Sequence, residues 1–110
     1  MIRVRYSCDK PQRMIRIKVK GHAGAGPAGY DVVCGAVTIL VRTIAKEVSQ
    51  MHDVGLLARP PTVYTESGDA EICAVARDDL AYRDMKTKFE TVRSGIELLC
   101  ENFSDYVRFN

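Results

Sequence analysis

A chain of 110 residues, 46% apolar and 27% charged, holds enough material for one hydrophobic core and too little for two, so residues 1–110 are read as one domain. Its formal charge of +2 is too small to argue by itself for a nucleic-acid partner. No apolar run reaches bilayer length, the longest being Val32 to Val41, which argues against a membrane role.

Cysteine usage narrows the field further. Cys8, Cys34, Cys73 and Cys100 form no C-x-x-C pair, and neither histidine lies close in sequence to two of them. A zinc site is therefore not expected, nor any other metal or cofactor. The start of the sequence, Met1-Ile2-Arg3-Val4-Arg5, leads straight into an alternating strand instead of a signal peptide, so the expected location is the cytoplasm. Disulfides are rare there, and most of the four thiols are expected to be buried and inert.

Ile2-Arg3-Val4-Arg5-Tyr6 and Ile15-Arg16-Ile17-Lys18-Val19-Lys20 alternate with period two. They predict a hairpin whose turn spans Ser7 to Gln12, where Asp9 and Pro11 supply turn chemistry. Ile2, Val4, Tyr6, Ile15, Ile17 and Val19 fall on its inner face, and Arg3, Arg5, Arg16, Lys18 and Lys20 on its outer face. A Gly-rich stretch follows, and then a helix from about residue 32 to 50 with Asp31 as its N-cap. Val33, Val37, Leu40, Ile44, Val48 and Met51 form its core stripe, and Thr38, Arg42 and Lys46 its opposite side. The first half of this helix is apolar nearly all round, so a second helix or a second copy of the chain is expected to cover it.

Gly55 and Pro60-Pro61 close that helix. Two strands, 62–65 and 70–76, turn about Ser67-Gly68-Asp69. Asp78 or Asp79 caps a second helix reaching about residue 102, with a core stripe of Met85, Phe89, Val92, Ile96 and Leu99. A short strand at 106–109 ends the chain. The expected fold is α+β, in the order ββαββαβ, with both helices on one face of an antiparallel or mixed sheet.

The chemistry concentrates between Gly21 and Gly35. His22 stands at the near end of the Gly-rich loop and Cys34 at the far end, one imidazole and one thiol. With Asp31 as cap, Cys34 would be the third helical residue, where unpaired amides and the helix dipole favour a thiolate. His22 could fold back to serve as its base. Two other readings compete. Gly24-Ala25-Gly26-Pro27-Ala28-Gly29 matches the G-x-G-x-x-G dinucleotide fingerprint. Against it, the preceding strand alternates instead of being apolar on both faces, and the usual ribose-binding acid position falls inside a helix. The plainer reading makes the glycines a turn, His22 an exposed loop residue and Cys34 core filling.

Gly21-His22-Ala23, followed by Asp31-Val32-Val33-Cys34 opening a helix with Ala36-Val37-Thr38, resembles the bacterial ribosomal-processing cysteine protease family, Prp. The likeness extends over the whole chain, with Thr38 where members usually carry serine. The resemblance implies a cysteine endopeptidase that removes the N-terminal extension of large-subunit ribosomal protein number twenty-seven. It also implies a homodimer. Carried over, Cys34 is the nucleophile, His22 the general base, and Asp31 an orienting acid or a helix cap. The backbone amides of Cys34 and Gly35 are candidate oxyanion donors, and the loop bearing Gly24, Gly26 and Gly29 a candidate lid. The alternative reading is a non-enzymatic module that binds RNA or the ribosome through the basic outer face of the hairpin.

Overall fold

Period-two alternation in the first twenty residues sets the sheet. The structure is a computed structural model that describes residues 1–22, 29–66 and 68–110, and only the backbone of residues 29–31. In it β1 (Ile2–Asp9) and β2 (Met14–Lys20) pair antiparallel with Val4 opposite Val19 and Tyr6 opposite Ile17. The hairpin is longer than its alternation announced. Ser7, Cys8 and Asp9 continue the ladder opposite Arg16, Ile15 and Met14, which leaves only residues 10–13 for the turn. The Asp9 carboxylate accepts from the Gln12 amide at 3.2 Å, so its turn chemistry operates at the tip and not three residues earlier.

The elements that follow are α1 (Gly29–Asp53), β3 (Thr62–Glu66), β4 (Asp69–Val75), α2 (Asp79–Asn102) and β5 (Val107–Phe109). The five strands make one sheet in the order β3-β4-β2-β1-β5. Only β5, which runs parallel to β1, breaks the antiparallel pattern, so the sheet is mixed. The ββαββαβ α+β fold is the one the sequence predicts.

Both helices lie on the face that carries Val4, Ile15, Ile17 and Ile72, and they bury Val33, Ile44, Met85 and Phe89 against it. Leu40 departs from its expected place. Val41 takes the core position, and Leu40 is only partly buried because it meets α2, where a Cβ added to Gly95 would stand 2.8 Å from Leu40 Cδ2. Lys88 reaches Glu47 at 3.1 Å farther along the same seam, so the helices run antiparallel. The second helix thus covers part of the apolar first half of α1, while Val32 and Ile39 stay 64% exposed.

Asp78 caps α2, accepting from the Ala81 amide at 2.9 Å. That bond, with Arg77 beside it, holds the carboxyl below its usual value. A carboxyl with a lowered pKa stabilises the fold above its ordinary titration range and loses that contribution as the pH falls through the folded-state value. Asp78→Ala is expected to lower the urea midpoint at neutral pH, with the difference shrinking in acid. Equal stabilities at neutral pH would show that the cap contributes nothing. Among the described residues no helix is long and apolar enough to cross a membrane.

Candidate active site

Cys34, Thr38 and Arg42 recur every four residues and so stack along one side of α1. That side faces a pocket of about 310 Å³. Thr65, Glu66, Gly68, Asp69 and Ala70 of the β3–β4 hairpin form the opposite wall, and Ile2, Val19, Val37 and Val41 supply apolar lining. Gly21 and His22, just past the end of β2, also line it. The imidazole and the half-buried thiol, twelve positions apart in the chain, therefore open into one cavity.

His22 is held by contacts distant in sequence. Gly21, with φ of +102°, donates its amide to the Gly68 carbonyl at 3.0 Å. A Cβ on Gly21 would collide with the Met1 carbonyl oxygen, so only glycine fits there. The His22 carbonyl accepts from the Met1 nitrogen at 2.5 Å. The ring itself rests against Gly68, where an added Cβ would strike Nε2 and Cε1. Gly68 has φ of +77° at the tip of the second hairpin. Sequence reasoning saw Ser67-Gly68-Asp69 only as a turn. The signal for its second role lies in the β2–β4 pairing, which sets Lys20 opposite Asp69 and brings the two loops together.

The start of α1 differs from expectation. The helix begins at Gly29, which places Asp31 inside the first turn and not at the N-cap. A first turn accommodates an acidic residue as well as a cap does, so the sequence fits both. The side chain of Asp31, and with it any orienting role, lies outside the described residues. Cys34 falls in the second turn, past the stretch over which the dipole acts most strongly. Helical geometry pairs the amides of Cys34 and Gly35 with carbonyls four residues back, so neither is free to hold an oxyanion in this conformation. Gly35 is exposed, with nothing within 4 Å of an added Cβ. Of the expected lid glycines, Gly29 is the first residue of α1, whereas Gly24 and Gly26 lie outside the described residues.

Thr38 and Arg42 are exposed, as their distance from the core stripe predicts, and they also line the pocket, because the row that carries Cys34 carries them too. Arg42 on the helix and Glu66 and Asp69 on the hairpin give the two walls opposite charge. The remaining thiols divide differently from expectation. Only Cys73 is buried; Cys8 is exposed and donates to the Tyr6 hydroxyl at 3.3 Å. Burial pushes the Cys100 thiol up, with Glu97 and Glu101 adding to the effect and a backbone hydrogen bond from Phe109 opposing it. Among the described residues no group of three or more His, Cys, Asp or Glu could hold a metal ion.

A family model described as cysteine protease Prp matches residues 1–108. A crystal structure of an essential ribosomal processing protease Prp from S. aureus, in complex with a covalently linked product peptide, matches with a TM-score of 0.70 at 20% identity. The match covers 100% of this chain and 98% of that one. SMU.848 from Streptococcus mutans gives a TM-score of 0.70 at 21% identity, covering 100% and 92%. A structure of the S. aureus protease with a substrate peptide gives 0.63 at 16%, covering 100% and 98%. No curated protein matches the chain. At these identities the solved structures speak for a shared fold.

Proposed function

The chain belongs to the cysteine protease Prp family, and from that membership we propose that it removes the N-terminal extension of large-subunit ribosomal protein number twenty-seven in the cytoplasm, as a step in ribosome assembly. It is a cysteine protease; the proposal concerns its substrate, its setting and the residues that act. The observation that carries the assignment of residues is the shared cavity of His22 and Cys34. The S. aureus relative, described as a ribosomal processing protease with a substrate peptide, supports the choice of substrate.

In the proposed cycle His22 takes the proton of the Cys34 thiol, and the sulfur bonds to the scissile carbonyl carbon. The carbon–nitrogen bond then breaks as the imidazolium passes its proton to the departing amine. Water, deprotonated by His22, attacks the thioester. The carbon–sulfur bond cleaves, and the proton held by His22 returns to sulfur, releasing the acid and restoring the thiol. The walls of opposite charge orient an extended peptide between α1 and the second hairpin.

With the amides of Cys34 and Gly35 engaged in the helix, the donor to the developing oxyanion is assigned to the Thr38 hydroxyl, one turn farther along the same wall. Thr38→Val is expected to lower kcat by about 10²-fold or more, and Thr38→Ser to keep most of it. Equal activity in the valine variant would remove Thr38 from the chemistry.

Homodimerisation is assigned to the exposed helical layer. Val32 and Ile39 lie two turns apart on one side of α1, and Leu98 of α2 is exposed near the Leu40–Gly95 crossing. Ile39→Glu is expected to convert a species of two chains to one in sedimentation equilibrium. A wild-type protein already of single-chain mass would refute the dimer. The substrate proposal is tested by incubating the enzyme with a peptide copied from the host's own ribosomal protein extension and weighing the products by mass spectrometry. An uncut peptide, with a generic peptide still cleaved, would reject the substrate and leave the protease.

A further inference from the structure

The sheet face turned away from the helices sets like charges opposite one another on its β2–β1–β5 side. Register places Arg3 opposite Lys20, Arg5 opposite Lys18 and Arg3 opposite Arg108. Directly opposed residues stand roughly 5 Å apart at Cβ, and like charges so placed destabilise a sheet. Arg16, on the same face, is relieved by Glu71 at 3.3 Å. Among the described residues no ion pair engages Arg3, Arg5, Lys18, Lys20 or Arg108. On β4, Glu71 stands directly opposite Lys18, and Asp69 is opposite Lys20 at the strand end that also reaches the pocket. The cations of β2 therefore have acids across from them on β4, whereas Arg3, Arg5 and Arg108 of β1 and β5 have only cations as cross-strand partners.

We propose that this cationic half-sheet binds the phosphate backbone of an RNA strand, on the side of the sheet opposite the helices. The inference does not rest on the identity of the peptide substrate. The patch offers no apolar centre of the kind a protein interface buries. Tyr64, the aromatic residue that register sets on this face, lies beyond Glu71, and among the described residues none stands between the cations, so the patch tracks phosphates and does not stack bases. Three of the five free cations are arginines, whose planar forks engage phosphate oxygens two at a time.

The test uses the whole protein and a labelled oligouridylate titrated at several salt concentrations. With five cations engaged, log K against log salt is expected to fall with a slope of about −3.5. In the triple variant Arg5→Gln/Lys18→Gln/Arg108→Gln the slope is expected to shrink to about −1.4, with weaker binding at low salt. Cleavage of a short peptide by the triple variant should match wild type, and its melting temperature should be equal or higher, since opposed like charges have been removed. Parallel titrations use polyglutamate and phosphatidylserine vesicles. RNA bound in preference to both supports the proposal. Absence of RNA binding at low salt, equal or better binding of polyglutamate or vesicles, or an unchanged slope in a folded triple variant overturns it.

Discussion

Cys34→Ser is expected to reduce peptide cleavage by roughly 10⁶-fold, the loss seen when a covalent nucleophile is removed from a pair that acts as a unit. The side chain is only half-buried and the replacement nearly isosteric, so thermal unfolding should shift little. Peptide binding, followed by fluorescence anisotropy, should survive because the lining from Val19, Val37 and Val41 is untouched. His22→Ala is expected to cost about as much, and the double variant hardly more than either, because nucleophile and base do not contribute independently. Cleavage by Cys34→Ser within tenfold of wild type would remove the thiol from the mechanism. Additive losses in the double variant would instead show that the two groups act separately.

Gly68→Ala is expected to lower kcat by about 10²-fold with a smaller change in KM, since a displacement of about 1 Å in a catalytic group can have that effect. The new methyl group would occupy the place where the imidazole of His22 rests. It would also force a residue with a Cβ into φ of +77°, at a cost of about 1–2 kcal/mol. Gly55 separates the two effects. It has the same φ of +77° but lies in open space, at the end of α1. Gly55→Ala should therefore lose stability to a similar degree and keep its activity. If both variants lost activity in proportion to stability, Gly68 would be a turn residue and nothing more.

Local patterns carried most of the architecture. Alternation located β1 and β2, and the apolar stripes located both helices, because each is a short-range periodicity that burial on one face reads directly. Where the sequence misled, two arrangements shared one local signature. Asp9 serves a turn beginning at residue 10 as well as one beginning at residue 7. Asp31 suits the first turn of a helix as well as its cap. Leu40 and Val41 sit on either side of the mean core direction, and only the approach of Gly95 on α2 decides which turns inward.

The sequence singled out the two residues that the fold brings to one cavity, His22 and Cys34, and said less of their frame. Distance from the core stripe placed Thr38 and Arg42 on the exposed side, where they are; spacing from Cys34 would also have put all three on one wall. The role of Gly68 depends on strand pairing between β2 and β4, which no local window contains.

That pairing also bears on the order of events during synthesis. The imidazole of His22 follows directly on the first hairpin, while the Gly68 it rests against comes much later in the chain, at the tip of the second. A nascent chain that has emerged only through α1 has His22 and Cys34 but lacks the wall that the β3–β4 hairpin gives the cavity. With the roles proposed for His22 and Cys34, the peptide cavity is therefore completed only when β4 docks onto β2, late in the order of the chain.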